Sequence, residues 1–147
     1  MTRLRIRDAK VADAEALRPL LAQLGYSAAP AEVAHRLGAL LGSGRDAVLV
    51  AEEDGRRLGL LALHWGEMLH LAGPVARIGT LVVAEGAQSR GIGALLVREA
   101  EALAQRQGCT LIEVTTGRAR ERTHAFYAAQ GYVCSSLRLH KPLEGTG

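Results

Sequence analysis

Aromatic side chains are scarce in this chain, with one Phe, one Trp and three Tyr among 147 residues. Few stacking platforms for bases follow, and the arginines are scattered rather than gathered into a block, so the formal net charge of +3 does not suggest a nucleic-acid surface. Lysine is scarcer still. Only Lys10 and Lys141 are present, and nearly all the positive charge is arginine, whose guanidinium fork matches phosphate oxygens and suits a small anionic ligand. The two cysteines, Cys109 and Cys134, show no disulfide or metal spacing and read as small buried hydrophobes. The five histidines lack the tight spacing of a metal site, and no metal is expected. No apolar run approaches membrane-spanning length, and Met1 to Arg7 offers none for a signal peptide, so no membrane partner and a cytoplasmic location are expected. Repeats, low-complexity tracts and long linkers are also missing, which leaves residues 1–147 as a single domain.

What is present is an ordered series of periodic segments. Leu4 to Arg7 alternates as a strand. Val11 to Leu24 places Leu17, Leu20, Leu21 and Leu24 on one helical face, with Pro19 expected to bend it, and a second helix starts at Pro30 and stops near Gly42. Two apolar runs, Ala47 to Glu52 and Leu58 to Trp65, flank Glu53-Asp54-Gly55-Arg56 and predict a β-hairpin. A third strand near Ala76 to Val83 leads through a glycine-rich segment into a helix with Ile92, Leu95, Leu96, Ala100 and Leu103 on one face, ended by Gly108. A strand from Thr110 to Thr115, a helix from about Glu121 to Gln130 and a closing strand from Tyr132 to His140 complete the series.

Gly91 and Gly93 stand where a strand has ended and a helix begins, so unsatisfied backbone N–H groups converge there with the positive end of a helix dipole. Without Cβ atoms these positions allow a pyrophosphate close to the backbone, and Gln88 and Arg90 can add side-chain donors. The nucleotide P-loop needs Gly-Lys-Ser/Thr and the dinucleotide turn needs a third spaced glycine; neither occurs here.

Leu81-Val82-Val83, four further residues, then Gln88-Ser89-Arg90-Gly91-Ile92-Gly93 with Leu95-Leu96 resembles the acyl-CoA-binding signature of the GNAT N-acetyltransferase family. Arg122-Thr123-His124-Ala125-Phe126-Tyr127, followed by Gly131-Tyr132, is similar to that family's late helix and closing aromatic element, and the order of elements from Leu4 to His140 matches. The resemblance implies an α/β (α+β) fold, with a mixed, mostly antiparallel twisted sheet flanked by helices. That sheet splays at its central strand, after Leu81 to Val83, where a bulge frees backbone groups. It also implies acetyl-CoA as co-substrate. The backbone of Leu81, Val82 and Val83 would pair with the pantetheine arm and polarise the thioester carbonyl, Gln88 to Gly93 would hold the pyrophosphate, and Tyr127 would protonate the leaving thiolate.

Amide formation needs a neutral amine, and an alkyl amine with a pKa of about 10.4 is neutral in only about one molecule in a thousand near pH 7. The strand Arg77 to Val83 carries no carboxylate where many relatives place one, which leaves Glu67, His64, His70 and Glu85 as candidate bases. His124 falls where relatives often have His. Arg118, Arg120 and Arg122 form a basic run where relatives often carry an Asn, and read either as an exposed loop or as a CoA-phosphate contact. The expected activity is acetyl transfer to a primary amine of an unidentified acceptor; the alternative is a GNAT-like domain that binds acyl-CoA without turnover. The loops Leu24 to Ser27 and Glu67 to Pro74 would shape the acceptor pocket. Trp65, Met68, Leu69 and Leu71 form an apolar patch that suggests a homodimer or an acceptor surface.

Overall fold

The computed structural model describes residues 3–115, 121–136 and 138–143. Five strands form one sheet in chain order: β1 (Leu4–Asp8), β2 (Asp46–Glu53), β3 (Arg56–Gly66), β4 (Val75–Val83) and β5 (Leu111–Val114). The first four are antiparallel neighbours, and β5 joins β4 in parallel because the helix α3 (Ile92–Arg106) carries the chain back between them. Asp54 and Gly55, both at positive φ, make the two-residue turn between β2 and β3 and set Glu53 opposite Arg56. Residues up to Val114 form one compact unit, and those from Thr115 onward form a second that holds α4 (Glu121–Ala129).

Alternation sends side chains to both faces of the sheet, and helices cover both. On one face Val48, Val50, Leu60 and Val82 pack with Leu17 and Leu20 of α1 (Ala14–Gln23) and Val33 and Leu37 of α2 (Pro30–Leu41). Pro19 sits inside α1, and the carbonyl of Glu15, which loses its helical donor, belongs to an exposed residue. The other face receives α3. A Cβ at Gly59 would stand 2.9 Å from Leu96 Cδ1, 3.1 Å from Ile92 Cγ2 and 3.3 Å from Ala51 Cβ, so the bare backbone of Gly59 is what allows α3 to lie so close to β3.

One extra residue interrupts the β3–β4 ladder. Ala62 pairs with Thr80 and Leu63 with Ile78, so Gly79 has no partner across the strand pair. Strict alternation would put Ile78 and Leu81 on opposite faces; the bulge returns Ile78, 1% exposed, to the face of Leu61 and Leu63. β5 pairs with β4 only over Val75 to Ile78. The sheet therefore opens before Leu81 to Val83 rather than after them, because the bulge lies at Gly79.

Three further expectations are corrected. Residues 132–136 and 138–143 belong to no strand, since alternation in a sequence supplies no backbone partner and a strand exists only within a ladder. Cys134 is exposed and Cys109 only half-buried. Trp65 is half-buried within β3, where its N–H donates to the carbonyl of Arg45, whereas Met68, Leu69 and Leu71 are exposed as expected.

A buried charge network ties the start of α1 to the sheet. Asp13, 2% exposed, ends the single 3-10 turn Val11–Asp13 and accepts from Arg7 Nη1 and Nη2 (2.9 and 2.8 Å), Arg57 Nε (3.0 Å) and the Lys10 N–H (2.8 Å). Arg7 Nη2 also donates to Glu52 Oε1 at 2.8 Å. The hydrogen bond from Arg7 holds the Asp13 carboxyl well below the usual carboxylate range, against the opposing effect of burial. A depressed carboxylate pKa contributes stability that is present above its ordinary unfolded value and lost as pH falls towards the folded one.

Asp13→Asn is expected to lower the unfolding free energy at pH 7 by roughly 3 kcal/mol, because it leaves Arg7 and Arg57 without their shared carboxylate. The deficit should hold down to about pH 4 and then narrow, as the wild type loses its own advantage. Denaturant melts of both proteins at pH 7 and pH 3 check this. Gly59→Val should cost about 1–3 kcal/mol by overpacking against Ile92 and Ala51, read from the same melts.

Candidate functional site

The second half of β4 presents an edge inside the sheet. Ala84 N–H donates to the Leu58 carbonyl at 2.8 Å, which makes that pair a hydrogen-bonded one; by alternation Val82 also directs its backbone towards β3, while Leu81 and Val83 direct theirs away. The Val83 carbonyl is engaged on that open side, accepting from Gln23 Nε2 (3.0 Å) and Gln88 Nε2 (3.2 Å). Gln23 Oε1 in turn accepts from the Glu85 N–H at 3.0 Å, so the last residue of α1 grips the end of β4. The Val82 side chain is buried against α1 and α2.

The chain then turns into α3. Gly91 is the N-cap at φ 81° and ψ 9°, a left-handed conformation that disfavours any other residue, and open space surrounds its Cβ direction. Ser89 is also left-handed at φ 70°, and Arg90 between them is not, so the sign of φ alternates. Such alternation turns successive N–H groups towards one concavity. The first turn of α3 contains no acidic residue, and no side chain caps it. The N–H groups of Ile92, Gly93 and Ala94 lie in that first turn, which has no helical acceptors, while the buried Ile92 side chain fixes the helix against Gly59. Arg90 is paired: Nη1 donates to Glu53 Oε1 at 3.1 Å and Nη2 to Glu53 Oε2 at 2.6 Å.

Tyr127 lies in the second unit and is 8% exposed. Its carbonyl accepts from the Tyr132 N–H at 3.0 Å where the chain reverses through Gly131 after α4, and this reversal brings the Tyr132 ring edge-on to the Tyr127 ring with centroids 5.4 Å apart; Phe126 packs edge-on at 5.0 Å. Burial pushes the Tyr127 phenol up to about 12, so it is a proton donor throughout the neutral range. His124 is exposed on the same helix. Arg118, Arg120 and the side chain of Arg122 lie outside the described residues.

The candidate bases do not gather at one point. His64 lies on β3 opposite Arg77, about 20 Å along β4 from Val83, Glu67 and His70 fall in the segment between β3 and β4, and Glu85 follows the open end. His64 Nδ1 stands 2.9 Å from Asp46 Oδ1. A carboxylate not foreseen from sequence is Glu113 on β5, adjacent to the last paired position Val114. Arg77 Nε donates to its Oε1 at 3.0 Å. Sequence pattern marks Glu113 only as the polar side of a strand. Among the described residues no group of three or more His, Cys, Asp or Glu is placed to hold a metal ion, and no helix is long and apolar enough to cross a membrane.

An aminoalkylphosphonate N-acetyltransferase of Salmonella typhimurium is 34% identical over 94 residues, covering 64% of this chain and 61% of the relative's own length. The fold matches the crystal structure of a transcriptional regulator from Bacillus halodurans C-125, with TM-score 0.89 at 23% identity over 96% of this chain and 100% of that one. It also matches an aminoglycoside N-acetyltransferase solved in complex with CoA, with TM-score 0.85 at 16% identity over 99% of this chain and 97% of that one. The model of the acetyltransferase (GNAT) family matches residues 14–132, well over half of the chain, and the chain belongs to that family.

Proposed function

We propose that the chain is an N-acetyltransferase that moves the acetyl group of acetyl-CoA to a primary amine. The observation that carries this reading is the continuity of the open edge of β4 with the uncapped start of α3. One strand edge able to pair with an amide-bearing arm runs directly into a helix start able to receive its pyrophosphate. The Leu81 and Val83 backbone would pair with the pantetheine amides, and an N–H of that edge would take up negative charge on the thioester oxygen as the amine nitrogen attacks. Gln88, Ser89, Arg90, Gly91, Ile92 and Gly93 would hold the pyrophosphate. Val82, whose backbone belongs to the ladder, would contribute through the core behind that edge. When the carbon–sulfur bond breaks, the phenol of Tyr127 would supply the proton that the thiolate takes up, while the attacking nitrogen would give up its surplus proton to water, from which the phenolate would be reprotonated.

The acceptor class to test first is a small amine that also carries an anionic group, as the activity of the Salmonella relative suggests. A cavity of about 270 Å³ beside α1 supports this, since its lining includes Glu15 and Arg18 together with Tyr26 and Ser27. The exposed Met68, Leu69 and Leu71 support a homodimer, for which light scattering at micromolar concentration should give twice the chain mass. A non-catalytic acyl-CoA-binding module is favoured by one observation, the lack of a carboxylate on β4. Thiol release across a panel of amines, aminoalkylphosphonates included, separates the two: binding of acetyl-CoA without release above background would establish the module.

Gly91→Glu should weaken CoA binding by at least about a hundredfold, because it forces a side chain into a left-handed position and sets a carboxylate at the helix start. Since nothing stands within 4 Å of that Cβ, the variant should fold, and calorimetric titration with CoA reads the effect. Tyr127→Phe should keep CoA affinity while turnover falls by about a hundredfold, the lower end of general-acid effects, because a thiolate is a fair leaving group. In the wild type, steady-state rates should show no loss attributable to Tyr127 ionisation up to pH 10, since burial holds the neutral form to about 12.

A further inference from the structure

The loop ahead of α3 holds Ser89, a residue with a Cβ, at a φ of 70° that such residues adopt at a cost, and Gly91 follows at 81°. Arg90 lies between these two pivots, and its guanidinium is held end-on by Glu53, 37 residues away in sequence. We propose that Glu53 is a positioning residue for acyl-CoA binding, which holds Arg90, and through it the Ser89–Gly91 backbone, in the form that receives the pyrophosphate. The inference rests on the assignment of the pyrophosphate to the start of α3.

Glu53 is a firm anchor. It ends β2, faces Arg56 across the two-residue turn, and its side chain is only 14% exposed, against 45% for Arg90. The pair occupies Nη1 and Nη2, so the Nε–H edge of the guanidinium, which has no protein partner among the described residues, stays open to a phosphate oxygen. Each carboxylate–guanidinium contact strengthens the charged form of the other, which keeps the strut ionised through the neutral range. Fixing the one side chain between two left-handed residues removes freedom that the empty loop would otherwise lose on binding.

The sign of the effect makes the inference testable. A carboxylate close to a polyanion is repulsive, so if Glu53 acted through charge alone, or merely competed for Arg90, its removal would tighten CoA binding. A positioning role gives the opposite direction. Calorimetric titration of the full-length chain with CoA should show Glu53→Ala weaker by about fivefold, with Glu53→Gln intermediate. In the Arg90→Ala background the Glu53→Ala change should add no further loss, because the strut then has nothing to hold. In steady-state assays with the best amine of the panel, the loss should fall on KM for acetyl-CoA rather than on kcat. Unchanged or tighter CoA binding by a folded Glu53→Ala or Glu53→Gln protein overturns the inference alone. Failure of the wild type to bind CoA, or normal CoA affinity in Gly91→Glu, overturns the pyrophosphate assignment and the inference with it.

Discussion

A polypeptide cannot leave backbone hydrogen-bonding groups without partners away from water, and the region around the end of β4 is organised by that obligation. Once β5 parts from β4 beyond Ile78, the outward-facing groups of Leu81 and Val83 have no ladder among the described residues. The chain meets part of the demand itself, with Gln23 and Gln88 donating to the Val83 carbonyl. It leaves the rest, together with the first-turn N–H groups of α3, facing outward. A ligand that supplied acceptors for those N–H groups would satisfy the fold and bind in the same act, so affinity at this edge would be a matter of completing a sheet and a helix rather than filling a hole.

The same economy shows in how the rigid parts are held. Asp13 gathers two guanidinium groups and a backbone N–H into a site that water scarcely reaches, and it fixes the entry of α1 on strands β1 to β3. Gly59 fixes α3 from the other face by having no side chain. Gln23, at the far end of α1, then reaches the last residue of β4, so the helix pinned at one end by charge is pinned at the other by the strand it serves.

Much of this was legible in the sequence, wherever the signal is local. Asp54-Gly55 between two apolar runs specifies its hairpin, and the turn from strand to helix at Gly91 is written in adjacent residues. The family motif adds an expected role for the region, acyl-CoA binding. What was illegible depends on pairs distant in sequence. Nothing in the segment from Gln88 to Gly93 announces Glu53, and Asp13 reads as one more polar residue before a helix. Gly59 looks like a weak point in a strand until α3 is laid across it. Tyr132 to His140 shows the reverse error: a pattern that suits a strand was present, but the partner that makes one is not a property of the segment.

The bulge on β4 places a peculiar demand on that strand. Gly79 makes no contact through its missing Cβ and has an ordinary backbone conformation, so most side chains would fit there. The extra residue acts on the path of the strand and not on its faces. With Gly79 removed, Ile78 would follow Thr80 directly and plain alternation would still keep Ala76 and Ile78 buried and Arg77 outside, while the local bend would be lost. A strand one residue shorter would thus keep its core face and lose the bend that lies beside the parting of β5 from β4.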